Sequence, residues 1–441
     1  MKKCLLSSLA MIATSSIMLS CSSASSEIVE NWEEPCQVVS MMQEQKPINL
    51  TKEQKVFAND NNGFALNFLK TVNDVDQSGK SFIYSPLSIT YLLGMVNDAA
   101  IGATEQEIEQ TLGFHQGGIQ AVNEYCKKLI DGLPKVDPSV KLSIANAIFL
   151  NKDFTLKKQF EQDMKDYYDA KAEALDFSSP NTLPAINGWC NEKTKGMIPN
   201  ILDDVNPAVV SYLLNAIYFK ADWASKFDPQ YTKTEPFSTE NAQTQLPLMH
   251  QKVLISYAKN ELFSAVQIPY GNSSWNMTVL LPEEGKTTDD VINELSKYVL
   301  ADTKDEYGYT FQKCNFSNYE VDLKLPRFDT SSDTNDLDDD LTGLLKEMGI
   351  KLVFDDTFAE IPNMCEDTPI YISMMRQKAK IQVNEEGSEA AAVTIAGANG
   401  VTSLEPHQPP KATFHANRPF VYVISEAVSG VILFVGKFTG A

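Results

Sequence analysis

Positive charge, histidine and pairable cysteine are all scarce in this 441-residue chain, and each shortage removes a class of function. Lys and Arg number 37 against 58 Asp and Glu, a formal net charge of -21. Binding phosphates needs clustered cations, so nucleic acid and anionic surfaces are excluded as partners, as is activation by a polyanion. Lys127-Lys128, the densest basic pair of the early helical region, stands isolated. The four histidines, His115, His250, His407 and His415, show no metal-ligand spacing, and a lone histidine on a loop is more often solvated than catalytic. There is no G-x-S-x-G elbow, H-E-x-x-H, Walker lysine loop or dinucleotide glycine fingerprint. Acidic runs such as Asp338-Asp339-Asp340 read as solvated turns. The residues therefore assign no catalytic group, metal or cofactor, and a secreted hydrolase survives only with an unrecognised site.

The N-terminus carries an export signal. Residues 1–20 join Lys2 and Lys3 to an apolar run from Leu5 to Met18, too short and too N-terminal for a membrane span. Met18-Leu19-Ser20-Cys21 resembles a bacterial lipobox with Met where Leu is usual; lipidation of Cys21 and ordinary signal cleavage are the two readings. Residues 21–55, rich in Ser, Glu and Gln, read as a flexible tether between a bacterial envelope and a folded body. No later stretch has the roughly 18 to 20 apolar residues of a spanning helix. With Cys4 and Cys21 set aside, Cys36, Cys126, Cys190, Cys314 and Cys365 form an odd set without C-x-x-C spacing, so no disulfide framework is expected. Residues 56–441 contain no repeat, linker or composition break, and read as one large domain.

Local patterns give its elements. Phe82 to Tyr84 is a short strand, followed by a helix capped by Ser85 with Pro86 at its first position. Ala103 to Gly113 reads as a helix with a Thr104 cap and Glu107 completing a capping box. Lys141 to Leu150 is a strand; Lys157 to Asp169 and Ile186 to Lys195 are helices. Val209 to Phe219 is almost wholly apolar, as in a strand buried on both faces, with a buried helix as the alternative. Leu262 to Pro269, Trp275 to Leu281, Val321 to Phe328 and Tyr371 to Val383 add strands, and Asp336 to Met348 a helix. Phe420 to Ser425 and Gly430 to Phe438 read as a buried hairpin. The class is α+β.

One segment is unusual. The strand ending at Val383 is stopped by Glu385-Glu386-Gly387, after which Ser388, Ala390, Ala392, Thr394, Ala396 and Ala398 are small at every second position. Such a stretch can slide onto an already filled sheet face as a new strand; a surface loop or a short Ala-rich helix is the plainer reading.

Four separated blocks then resemble the serpin family over about residues 57–441: Phe82-Ile83-Tyr84-Ser85-Pro86-Leu87-Ser88-Ile89, Asn215 to Lys220 with Trp223, Val383 to Gly387, and Asn417-Arg418-Pro419-Phe420. The resemblance implies three β-sheets, eight or nine helices and an exposed reactive loop that inserts into the central sheet. It implies an irreversible, monomeric inhibitor of serine proteases, with papain-like cysteine proteases as further targets. On it, Glu385, Gly387, Ser388, Ala390, Ala391 and Ala392 form the hinge, and Glu385 pairs with Arg327. Trp223 marks where the sheet first opens, and Ser85, Ser88 and Asn215 form a hydrogen-bonded shutter beneath. Gln377 stands where many members carry His and cannot gain charge near neutral pH, so opening is expected to be less pH-sensitive. Counting forward from Gly387 places the scissile bond at Val401-Thr402, which suits an elastase-like protease; counting back from Pro419 reaches later positions, where Leu404 would suit a chymotrypsin- or subtilisin-like one. The other family-based reading is a non-inhibitory binding or chaperone-like protein.

Overall fold

The apolar run beginning at Val209 can satisfy its backbone within a hydrophobic interior only by pairing on both edges, and it does so as a strand, Ser211–Asp222. Most of its residues are buried, those at 213, 217 and 219 against the main core and those at 212, 214 and 216 against a second cluster on the opposite face. In the computed structural model this strand is the middle of a six-stranded sheet. Residues 36–38, 45–76, 78–300, 311–337, 340–366, 370–388 and 408–440 are described.

Among these residues the helices are α1 (Lys52–Val75), α2 (Pro86–Ala99), α3 (Gly102–Leu112), α4 (Gly118–Gly132), α5 (Lys158–Tyr168), α6 (Thr182–Lys193), α7 (Thr288–Glu294), α8 (Ser296–Val299) and α9 (Asp340–Glu347). The strands are β1 (Gln37–Val38), β2 (Phe82–Tyr84), β3 (Lys141–Asn151), β4 (Lys171–Leu175), β5 (Ser211–Asp222), β6 (Lys233–Ser238), β7 (Gln243–Lys259), β8 (Phe263–Tyr270), β9 (Trp275–Pro282), β10 (Ser317–Pro326), β11 (Phe328–Asp333), β12 (Met374–Val383), β13 (Gly387–Ser388), β14 (Lys411–His415), β15 (Phe420–Glu426) and β16 (Ile432–Phe438).

The six-stranded sheet runs β11-β12-β5-β3-β4, with β13 added on β5. The other strands form a connected ten-stranded set ordered β14-β10-β7-β8-β9-β15-β16-β2, with β1 and β6 also on β7. The expected three sheets are present, two of them fused along β7, which pairs with β6 over residues 243–248, with β10 over 248–257 and with β8 over 256–259. Helix α2 packs against both β5 and β16, and every residue of it except Asp98 is buried. Helix α6 covers the opposite face of β3 and β5 through Ile186 and Trp189.

Several local expectations change: Gln37–Val38, inside the expected tether, pairs with β7, α1 already starts at Lys52, and α6 starts at Thr182 rather than Ile186. Helix α3 starts at Gly102 behind Ile101 without a side-chain cap, because the Thr104 hydroxyl accepts from the Glu360 N–H and Glu107 accepts from the Lys351 and Leu352 N–H groups. The run Val321 to Phe328 divides at Pro326 and Arg327 into β10 and β11, which lie in different sheets. Where a helix was expected from Asp336, Thr334–Asp336 form a 3-10 turn, and the described helix is Asp340–Glu347.

Candidate functional site

Strands β5 and β12 are parallel neighbours, joined from Met374 opposite Tyr212 to Ala379 opposite Ile217. Above that point their pairing ends: Lys380 to Val383 stay on β11, while β5 continues on β3 as far as Lys220. The seam therefore has a closed lower part and an open mouth. Into the mouth comes β13, antiparallel to β5, with Gly387 opposite Asp222 and Ser388 opposite Ala221.

The turn that delivers β13 is tightly specified. Asn384 and Gly387 exchange backbone hydrogen bonds of 2.9 and 3.2 Å, and the Asn384 side chain accepts from the Glu386 N–H at 3.0 Å. Gly387 has φ +144°, and a Cβ there would lie 2.2 Å from the Ala221 carbonyl oxygen, so no other residue fits without displacing the strand. The Trp223 indole donates to the Asn384 carbonyl at 2.8 Å, and the Trp223 and Phe227 N–H groups donate to the Glu386 and Glu385 carbonyls at 2.8 and 2.9 Å. Trp223 is stacked on Tyr270, centroids 4.3 Å apart and planes 12° from parallel.

Glu385 and Arg327 meet as the resemblance implied. Arg327 Nε lies 2.8 Å from each Glu385 carboxylate oxygen, Nη2 adds a further contact, and the Thr232 hydroxyl donates to Oε1. Glu385 is only 4% exposed, which takes the pair out of the weak surface class although the Arg327 side chain is half exposed. Burial pushes the Glu385 carboxyl up, but the hydrogen bonds from Arg327 and Thr232 outweigh it and hold the pKa below the ordinary range. Lys226 adds a second link by bridging Asp222 and Glu386.

Lower down, side-chain amides and hydroxyls bind the seam's surroundings. Gln377 Oε1 accepts from the Ser85 N–H at 2.9 Å, and its Nε2 donates to the Ser85 carbonyl at 2.8 Å. The Ser85 hydroxyl reaches Ser88 at 3.1 Å, and the Gln377 N–H donates to Thr334. Asn215 faces Gln377 in register, yet its Nδ2 donates to Asn146 on the far side, leaving its buried Oδ1 without a hydrogen-bond partner among the described residues. All four shutter residues are fully buried.

The structure thus brings together Ser85, Ser88, Asn215, Gln377, Trp223, Arg327, Glu385 and the backbone of Gly387 and Ser388. Ala390, Ala391, Ala392, Val401, Thr402, Leu404 and Cys21 lie outside the described residues. Sequence reasoning missed Asn384, Thr232, Asn146 and Thr334; only Asn384, directly before Glu-Glu-Gly, carried a local turn signal. It also missed that His250 of β7 and His415 of β14 both lie on strands beside one carboxylate oxygen, Asp322 Oδ1, at 2.8 and 3.2 Å. Burial pushes the thiols of Cys126, Cys190 and Cys314 up to about 12, which unsuits them as nucleophiles.

Comparison with known proteins gives the arrangement a lineage. Residues 59–440 match the family model described as serpin (serine protease inhibitor). The chain is 30% identical over 386 residues to the leukocyte elastase inhibitor of Sus scrofa, covering 86% of this chain and 98% of that protein. It is 31% identical over 402 residues to an antitrypsin of Bombyx mori, covering 88% and 95%. Among solved structures, the thyroxine-binding globulin complex with thyroxine superposes with a TM-score of 0.72 at 27% identity, over 87% of this chain and 98% of that one. Serpin48 of the insect Tenebrio molitor gives 0.73 at 26% identity, over 87% and 97%.

Proposed function

The chain belongs to the serpin family, and on that premise we propose that it is an irreversible inhibitor of serine proteases that traps the acyl-enzyme by inserting its reactive loop between β5 and β12. The observation that carries this reading is β13: a two-residue antiparallel start of the new strand, set at the open mouth of an otherwise closed parallel seam. Continuing its register without a bulge sets Ala390 opposite Phe219, Ala392 opposite Ile217, Thr394 opposite Asn215 and Ala396 opposite Leu213. Directly opposed residues share a face, and Phe219, Ile217 and Leu213 already fill theirs, so the incoming side chains on that face must be small.

The driving force is the difference between two folded states. A net of roughly 0.5 to 1.5 kcal/mol per ladder hydrogen bond makes insertion worth on the order of 10 kcal/mol, comparable to a domain's stability. An inserted stretch of about 15 residues spans roughly 50 Å and carries the esterified protease with it.

Val401-Thr402 is the proposed scissile bond, with an elastase-like target. The likeness to a leukocyte elastase inhibitor supports that choice, as does the lack of Arg and Lys between Gly387 and Pro410. The leader and Cys21 support display on a bacterial envelope by a lipid anchor. Incubation with pancreatic or neutrophil elastase is expected to give an SDS-stable complex and release a C-terminal peptide starting at Thr402. A nicked chain without complex would favour a non-inhibitory binding role instead.

A further inference from the structure

Three strands outside the six-stranded sheet bring two histidines and a carboxylate together. β10 lies between β7 and β14; His250 of β7 and His415 of β14 are both opposite Lys324 in register, and Asp322 is two residues back along β10. Directly opposed residues share a face, as do alternate residues of one strand, so all four side chains leave the sheet on the same side. Each imidazole turns its Nε2 to one atom, Asp322 Oδ1, at 2.8 Å from His250 and 3.2 Å from His415. Water can reach them: the side chains of His250, His415 and Asp322 are 23%, 33% and 38% exposed. Burial pushes the Asp322 carboxyl up, but the hydrogen bonds from the two histidines outweigh it and hold its pKa below the ordinary range. Lys324 sends its Nζ to both Glu235 carboxylate oxygens at 2.7 Å, which offsets its charge, and Lys411 is drawn to Glu320 at 3.2 Å. Lys252, opposite Asp322, adds a positive charge beside the cluster.

We infer that His250, His415 and Asp322 form a surface binding site for a divalent transition-metal ion, with zinc as the best match. Two imidazole nitrogens and a carboxylate oxygen are the donor set of a three-ligand zinc site, in which water takes the fourth position. Two neutral imidazoles and one carboxylate carry a single negative charge, which a dication offsets, and imidazole selects zinc, copper or nickel over the magnesium and calcium of all-oxygen sites. Among the described residues no three such donors stand around an open centre. Here the carboxylate oxygen itself occupies the point on which both imidazoles converge, so the ion would replace the two hydrogen bonds, each neutral imidazole presenting its Nε2 lone pair once that proton has moved to Nδ1. The exposure of all three side chains leaves them room to turn toward it. A bound ion would join β7 to β14 across β10, linking two strands that are not neighbours in the sheet. This inference does not depend on the inhibitory reading.

The test titrates the full, untagged chain with zinc chloride and follows both heat and the thermal midpoint. We expect one ion per chain at micromolar affinity and a midpoint that rises with zinc concentration. Binding should weaken as the pH falls through about 6.5, where imidazole ordinarily takes up a proton and loses its lone pair. His250→Gln and His415→Gln each keep an N–H donor for Asp322 and remove the imidazole. Each should leave the zinc-free midpoint near that of the wild type and weaken zinc binding by at least the roughly 10- to 100-fold that loss of an outer-shell partner costs. Lys252→Gln should tighten binding severalfold, and Cys36→Ser, at the exposed cysteine, should leave it unchanged. Should a Gln variant fold poorly, modification of the wild-type histidines by diethyl pyrocarbonate decides the same question: zinc should protect two of them. No uptake of zinc by the wild type, wild-type affinity in both Gln variants, or modification that zinc does not slow would each overturn the site and leave a hydrogen-bonded cluster only.

Discussion

The two ends of the β5–β12 seam are held by different chemistry. The lower part is closed by a continuous ladder and, on the face toward α2, by neutral groups, Gln377, Ser85, Ser88 and Asn215, all buried. At the mouth, where the ladder stops, an ion pair, a stacked tryptophan and a turn built on Gly387 hold the hinge beside β5. Neutral buried hydrogen bonds are insensitive to pH and nearly so to salt, whereas a partly exposed ion pair responds to both. Opening is thus expected to start at the mouth, where bonds can be exchanged with water, and to be resisted below by groups that water does not reach.

The strongest way to break that contrast is to block the passage from one part to the other. In the register of β13, Ala392 would meet Ile217, the last β5 residue paired with β12. Ala392→Arg would have to bury an unpaired guanidinium against the filled core, at a cost of several kcal/mol. We expect loop cleavage to proceed normally and the SDS-stable complex to disappear, leaving only nicked chain. An undiminished complex yield would mean that the loop does not enter in this register.

How much of this was legible in the sequence depended on the distance between partners. The strands beside the seam, the hairpin β15-β16 and the hinge glycine announce themselves through period, burial and local turn chemistry. Arg327 with Glu385 was reachable only through the family resemblance. The capping box at Thr104 failed because that hydroxyl serves Glu360, 256 residues away, a competitor no local pattern contains. For the same reason Gln377 could be placed near the shutter but not paired with Ser85, 292 residues distant, and Asp322 could not be seen gathering two histidines. The division of Val321 to Phe328 between two sheets was hinted at by Pro326, which ends a ladder more often than it continues one.

A smaller effect separates the ends by pH. Glu385 has a folded-state pKa below its ordinary value of about 4.3, so its pair with Arg327 contributes stability that is fully present above that value and is lost as the pH falls through the depressed one. Chemical denaturation of the intact protein should therefore show a constant gap between wild type and Glu385→Gln from pH 7 to about 5, closing below about pH 4. Gln377→His should instead introduce a pH dependence between about 5 and 8, where imidazole titrates and an amide does not. A gap for Glu385→Gln that already narrows between pH 7 and 5 would show that the mouth is held by something other than this carboxylate.

The smallest effect lies in the lower part and appears only after insertion. Asn215 Oδ1 is buried and has no hydrogen-bond partner among the described residues, a penalty of about 1 to 3 kcal/mol for a neutral acceptor. The β13 register would bring Thr394 directly opposite Asn215 and on the same face, where its hydroxyl can donate to that oxygen. Insertion would thus satisfy a group that the uninserted sheet leaves wanting, adding to the ladder as a driving force. Thr394→Val keeps the shape and removes the donor. We expect it to leave the intact protein's denaturation midpoint unchanged and to lower the stability of the loop-cleaved form by about 1 kcal/mol, with Thr394→Ser recovering most of the loss. Equal stability of the cleaved wild-type and Thr394→Val proteins would mean that Asn215 finds its partner elsewhere, and the lower seam would then owe its closure to the ladder alone.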